Sequence, residues 1–251
     1  MKTIDLNCDL GESFGAYTIG DDAHVIPFIT SANVACGWHG GDPLVMTETF
    51  SRCKAAGVSV GAHPGFPDLL GFGRRNLAVS PEEAKAYVQY QVSAARGMAE
   101  AQGIKLRHVK LHGALYNMAG ADYKLAVAIC QGIAAMDQSL VFLALSGSEM
   151  VRAARDVGLP VAQEIFADRA YEPDGRLVAR SKPGAMIHNE DEAVRRVVGM
   201  VCDGTVEAIT GEKISIQADS ICVHGDGPKA LAFVERIRIA LAEASIHFKA
   251  L

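Results

Sequence analysis

No stretch of this chain approaches the roughly 20 consecutive apolar residues that a membrane-spanning helix needs, which argues against a helical membrane protein. Its start, "MKTIDLNCDLGE", carries acidic groups where a secretory leader would need an apolar stretch, so a cytoplasmic location is expected. The six cysteines (Cys8, Cys36, Cys53, Cys130, Cys202, Cys222) include no C-x-x-C pair. Neither a zinc knuckle nor a disulfide framework is signalled, and most of them read as small buried apolar residues. A single tryptophan, a net charge of -5 and the lack of a basic stripe argue against a nucleic-acid partner. A Walker A loop is missing too: "TGEKIS" from Thr210 has the Gly-Lys neighbourhood without the spacing. No linker rich in Pro, Ser or Gly divides the 251 residues, so a single domain over 1–251 with one large core is expected.

What the chain does contain is a regular alternation of strands and helices. Strand-like runs lie near Thr3 to Leu10, Ile29 to Cys36, Val58 to His63, His108 to His112, Leu140 to Leu145, Val161 to Ala167 and Ser220 to His224. Helices with recognisable ends separate them. Asp42-Pro43 starts one that closes at Gly57, and the capping box Ser80-Pro81-Glu82-Glu83 starts another that closes at Gly103. Later helices are expected over Tyr123 to Met136, Ser148 to Val157, Asn189 to Ile209 and Pro228 to Ala244. Strands each followed by a helix imply a parallel sheet covered by helices, which an open doubly wound sheet and a closed barrel both satisfy.

The polar residues on the strands decide between them. In "TIDLNCDLGE", Asp5, Asn7 and Asp9 share one face opposite Ile4, Leu6, Cys8 and Leu10. A strand with one face in water would show the same pattern. Lys110 and His112 share a face in "HVKLHG", Glu164 and Asp168 fall together in "QEIFAD", and His224 aligns with Asp226 in "ICVHGD". An open sheet packed on both faces would instead show continuous apolar runs. Charges cannot be scattered singly through a core, so they need one shared place, and the lumen of a closed β/α barrel supplies it near the C-terminal rim.

His39, His63, His112 and His224 all sit where a strand gives way to a Gly- or Pro-containing loop, the position at which barrels carry their chemistry. His24, His108, His188 and His247 lack that context and read as surface or satisfied core residues. "GFGRRN" begins like a dinucleotide fingerprint but ends in Asn76 and does not follow a strand directly. Its Arg74-Arg75 pair reads equally well as a phosphate or carboxylate contact and as solvated surface.

Taken together, "DLNCDLGESFG", "SANVACGWHGGDP", "GAHPGFPD", "GFGRRN", "VKLHGALYN", "EIFADRAYEPDGRLVAR" and "ICVHGDGP" run in order from Asp5 to Pro228, and the set resembles the LamB/YcsF family. The resemblance implies a seven-stranded β/α barrel akin to the glycoside hydrolase/deacetylase group. It implies ATP-dependent opening of 5-oxo-L-proline (pyroglutamate) to L-glutamate, in company with separate B and C subunits. It carries over Asp5, Asn7, Asp9, Glu12, His39, Asp42, His63, Lys110, His112, Glu164, Asp168, Arg169, His224 and Asp226 without assigning roles among them.

Chemistry then suggests roles. A lactam is a poor electrophile, and phosphorylating its oxygen from ATP makes its carbon open to water. Lys110 would neutralise charge on that oxygen or on the transferred phosphoryl group, with Arg74 or Arg169 assisting or holding the substrate carboxylate. Asp5, Asp9 or Glu164 would deprotonate water, and His112 or His224 would protonate the departing nitrogen. Asn7, Glu12, His39, His63, Asp168 and Asp226 would bind substrate or nucleotide. ATP without a P-loop would bring its own Mg²⁺, with no permanent metal. An alternative uses Asp9, His39 and His63 as ligands of a divalent metal in a deacetylase-like hydrolase of an acetamido sugar. Another is a substrate-binding component whose partners do the chemistry.

Overall fold

The computed structural model describes residues 2–223 and 230–251. Its elements run β1 (Thr3–Leu10), α1 (Asp22–Val25), β2 (Ser31–Ala35), α2 (Pro43–Ala56), β3 (Ser59–His63), α3 (Pro81–Glu100), β4 (His108–Lys110), α4 (Gly113–Ala121), α5 (Tyr123–Met136) and β5 (Val141–Leu145). They continue through α6 (Glu149–Val157), β6 (Val161–Phe166), α7 (Glu190–Asp203), β7 (Thr205–Glu207), β8 (Lys213–Ser215), β9 (Ser220–Val223), α8 (Ala230–Glu243) and β10 (His247–Phe248). The strands pair in parallel in the order β1-β2-β3-β4-β5-β6-β9, and β9 pairs back onto β1, which closes a seven-stranded barrel. β10 adds at the start of β1, pairing Thr3 with His247.

Closure follows from the period-two pattern. The outward set of β1, Ile4, Leu6, Cys8 and Leu10, is buried in one continuous core with Val34, Val60, Val109, Phe142, Ile165 and Ile221 and with the inner faces of the helices. The inward set therefore has only the lumen to occupy. Because paired residues of parallel strands share a face, the register Asp9–Asn33–Gly61–His108 forms one inward-facing row across four strands.

Local chemistry sets the helix ends. The Asp42 carboxylate accepts from the backbone N–H groups of Leu44 and Val45 at 2.8 and 2.9 Å. Ser80 and Glu83 form the reciprocal capping box, Glu83 N–H to Ser80 Oγ at 3.2 Å and Ser80 N–H to Glu83 Oε2 at 2.8 Å. Replacing Ser80 with alanine should cost about 1 kcal/mol, measurable as a small fall in denaturation midpoint with an unchanged slope.

Two expected boundaries need correction. The helix expected to reach Ile209 stops at Asp203, because Gly204 turns left-handed at φ 66°. The residues beyond it form a β7–β8 antiparallel hairpin that also takes up "TGEKIS". The fourth strand stops at Lys110, because the His112 N–H leaves the ladder to bond the Pro64 carbonyl at 2.8 Å, and α4 starts at the next residue. All six cysteines are free, and all but Cys202 are buried. Among the described residues no helix is long and apolar enough to cross a membrane.

Candidate active site

Asp5, Asn7 and Asp9 point into the lumen, at successive heights. Asp5 lies deepest, 1% exposed, where the Thr30 and Ser31 hydroxyls each donate to Oδ1 at 2.6 Å and Ser220 donates to Oδ2. Burial raises its carboxyl above the usual range, with those hydroxyls pulling it back. One layer up, Asn7 donates to Ser220 Oγ at 2.8 Å and to Glu164 Oε2 at 3.3 Å. Its carbonyl accepts from Asn33 at 2.8 Å and from Lys110 at 3.1 Å. Asn33 donates in addition to Asp9 Oδ1 at 2.8 Å, and its own carbonyl accepts from His108 Nε2 at 2.7 Å.

Lys110 is the hub of this network. Its ammonium is 3.0 Å from both Asp9 Oδ1 and Glu164 Oε2 and 3.1 Å from Cys222 Sγ, with the residue only 2% exposed. Burial alone would favour the neutral amine, but the neighbouring Asp9 and Glu164 outweigh it and hold the lysine charged. Glu164 is fully buried, which raises its carboxyl, while Lys110 pulls the other way.

At the rim, β1 ends toward Glu12, β2 leads into His39, β3 ends at His63, and His112 follows β4. His39 lies flat on His112, ring centroids 3.6 Å apart and planes 2° from parallel, and His63 meets both edge-on. Glu12 Oε1 is 3.2 Å from His39 Nε2 and 3.4 Å from His112 Nδ1. Burial holds His39 and His112 neutral, well below the ordinary imidazole range. At His63 burial works in the same direction, but Asp9, 3.3 Å away, outweighs it and raises the ring. The second glycine of "GFGRRN" serves this cluster: Gly73 has φ 61°, and a Cβ there would lie 2.7 Å from His39 Cβ and 2.9 Å from His112 Cδ2.

A cavity of ~420 Å³, in the range that holds small ligands, opens over this floor. Asp9, Lys110, His63 and His112 face it from below, Phe166, Leu177 and Val178 form an apolar wall, and Arg74, Arg169 and Arg180 line its sides. Arg169 donates to the Val178 carbonyl at 2.6 Å. Burial, then the nearby Arg180, lower its guanidinium to about 10. Arg74 sits over the Phe72 ring.

The site thus gathers Asn7, Asp9, Glu12, His39, His63, Arg74, Lys110, His112, Glu164 and Arg169 at or just beneath one cavity. Asp5 reaches it through Ser220 and Asn7 and is not among the described residues that line it. Arg75 turns away to a bidentate pair with Asp68, and Asp42 caps α2. Asp168 follows β6, and its backbone carbonyl accepts from Ile187 N–H at 2.8 Å. His224 and Asp226 lie outside the described residues. Sequence reasoning passes over Asn33 and Arg180 as site residues; the period-two placement of Ser31 and Asn33 on one face of β2 is the available signal for the first.

Fold and site together define a single-domain parallel β/α barrel with a cavity lined by charged residues at the C-terminal mouth of its strands. The model of the LamB/YcsF family matches residues 4–251, and the chain belongs to that family. It is 63% identical over 247 residues to the A-subunit of 5-oxoprolinase from Clostridium beijerinckii, covering 98% of this chain and 97% of that protein. It is 54% identical over 244 residues to the protein of the same name from Thermococcus onnurineus, covering 97% and 96%. The crystal structure of a lactam utilization protein from Thermus thermophilus superposes with a TM-score of 0.93 at 45% identity, over 100% of both chains.

Proposed function

We propose that this chain works as the A component of an ATP-dependent 5-oxoprolinase, opening 5-oxo-L-proline to L-glutamate as ATP and two waters become ADP, phosphate and glutamate. The observation that carries the reading is the pairing of Lys110 with Asp9 on the floor of a cavity walled by Arg74, Arg169 and Arg180. A lactam carbonyl is deactivated by its nitrogen, so a fixed ammonium beneath it and cationic walls for a carboxylate and a phosphoryl group answer the needs of this substrate. Mg²⁺ arrives with the nucleotide.

Roles divide by exposure. Asp9 faces the cavity with its Oδ1 committed to Lys110 and Asn33, so Oδ2, 3.3 Å from His63 Nε2, is the oxygen that takes a proton from the attacking water. Glu164, fully buried behind Lys110, positions the lysine and does not meet substrate. His112 gives its Nε2–H to the Phe72 carbonyl at 2.8 Å, which removes the proton it was expected to offer the departing nitrogen. The neutral Asn7 holds Lys110 without adding charge.

The loop side of the barrel also carries unsheltered apolar side chains: Leu70 is 97% exposed, Leu44 81% and Tyr17 75%. Leu70 belongs to the loop after β3 and Leu44 to the start of α2, both at the C-terminal ends of the strands. Such exposure at a catalytic mouth suits a docking face for the B and C subunits. The test is glutamate release from 5-oxoproline by the chain alone and with partner subunits, each with and without ATP. Turnover is expected only with partners and ATP, and Leu70→Asp should weaken assembly. Full turnover by the isolated chain would overturn the partner requirement. Turnover that never needs ATP would shift the reading to a metal-dependent hydrolase.

A further inference from the structure

The proton positions in the histidine cluster can be read from its outer hydrogen bonds. His63 Nδ1 lies 2.9 Å from the Lys110 backbone carbonyl, and His112 Nε2 lies 2.8 Å from the Phe72 backbone carbonyl. A carbonyl oxygen only accepts, so both of these nitrogens carry hydrogen. In the neutral rings the other nitrogens, His63 Nε2 and His112 Nδ1, are then bare lone pairs, and they face each other at 3.0 Å. Two lone pairs at that distance repel unless something positive stands between them. Asp9 Oδ2, 3.3 Å from His63 Nε2, adds negative charge on the same side.

Glu12 Oε1 completes a triangle with the two nitrogens, 3.4 Å from His112 Nδ1 and 4.0 Å from His63 Nε2. The point equidistant from three atoms with these separations lies about 2.1 Å from each, the bond length of zinc to imidazole nitrogen and carboxylate oxygen. The surroundings resemble those of a metal site as well. Each ligand imidazole passes its remaining N–H to a backbone carbonyl, which fixes tautomer and ring orientation. His39 Nε2 stands 3.2 Å from the same Glu12 oxygen, where it orients the carboxylate, and its ring is stacked on His112. Glu12, His39, His63 and His112 keep their nearest donor atoms within 4.8 Å of one another.

We infer that Glu12, His63 and His112 bind a divalent first-row transition ion at the edge of the cavity, with His39 as the positioning residue for Glu12. Two imidazoles and one carboxylate suit zinc, iron, cobalt or nickel, whereas magnesium demands an oxygen shell. The site is therefore distinct from the Mg²⁺ that ATP would carry, and its occupancy does not depend on whether the chain acts on a lactam. It also replaces the ligand set expected from sequence. Asp9 turns its Oδ1 to Lys110 and Asn33 instead, and His39 stands one step outside.

The test uses the full chain stripped with a strong chelator, dialysed, reloaded with Co²⁺ or Zn²⁺ and desalted in excess Mg²⁺. Metal is counted by mass spectrometry, and the cobalt form is read by its visible d–d absorption. The expected result is close to one ion per chain, with the absorption of low-coordinate cobalt. Glu12→Gln and His112→Ala should each weaken retention by at least ~10-fold, while His24→Ala, an exposed histidine elsewhere, should leave it unchanged. Circular dichroism and the melting temperature report whether each variant folds, and the wild-type measurement needs no variant. Failure of the folded wild type to retain cobalt or zinc overturns the inference and leaves a shared proton between His63 and His112 as the answer to their repulsion. Retention that is the same in folded Glu12→Gln and His112→Ala overturns it equally, by showing that the ion sits elsewhere.

Discussion

Lys110→Met is expected to lower ATP-dependent glutamate formation by the assembled enzyme at least ~100-fold, the scale seen when a charge-stabilising group is lost. Sequence alone suggests that the fold would survive the change, since methionine has a similar length and no charge. The structure predicts otherwise. Lys110 is the cation between Asp9 and the fully buried Glu164. Its removal leaves carboxylates facing each other across a low-dielectric lumen, and breaking such a buried group costs about 3–5 kcal/mol. Part of that cost is relieved if Glu164, already raised by burial, takes up a proton. The two effects can be separated with the double variant Lys110→Met/Glu164→Gln, which removes one stranded charge along with the lysine. Its melting temperature should recover toward the wild-type value while its activity stays low. Activity within a few-fold of wild type in either variant would remove Lys110 from the mechanism, and an unchanged melting temperature in the single variant would refute the account of the lumen.

The elements that sequence made legible are those set by short-range chemistry. β1 spans the residues its alternation marks, Thr3–Leu10, and α5 the residues its apolar period marks, Tyr123–Met136. The Asp42 and Ser80 caps act as their side chains dictate. The β7–β8 hairpin was hidden because a helical apolar pattern runs on past Asp203, and only the left-handed turn at Gly204 stops it. Within the site, period two identifies the inward face but not the depth. Asp5 and Asp9 share that face, yet four residues of strand separate them by about 13 Å, so one is sealed under Ser220 and Asn7 while the other meets the cavity. From sequence His108 reads as a surface or satisfied core residue; it is core, fully buried and pushed down to about 3 by burial and then by Lys110, with its Nε2–H bonded to the Asn33 carbonyl. What the sequence could not show is that the group bonded to it, Asn33, also holds Asp9. That link depends on the register of four strands.

The same link makes Gly61 a position where one methyl group should reach the site through the lumen. Gly61 lies in β3 beside His108 in register, and a Cβ built on it would stand 2.3 to 2.5 Å from ring atoms of His108. The ring cannot retreat cheaply, because it is fully buried and its Nε2–H is bonded to Asn33 at 2.7 Å. Gly61→Ala must either push the ring off Asn33 or spread β3 from β4. Overpacking of this kind costs roughly 1–3 kcal/mol, and an unpaired buried carbonyl on Asn33 adds about 1–3 kcal/mol more. At ~2–4 °C per kcal/mol for a chain of this size, the melting temperature should fall by roughly 5–20 °C. Activity should fall with it at temperatures where the variant is still folded, since Asn33 also donates to Asp9 at 2.8 Å and fixes the carboxylate that faces the cavity. Adding His108→Gln supplies a narrower, flexible side chain that can still donate to the Asn33 carbonyl, so it should recover part of both losses. A Gly61→Ala protein that melts within about 1 °C of wild type, or a double variant no better than the single one, would show that the lumen is looser than these contacts require.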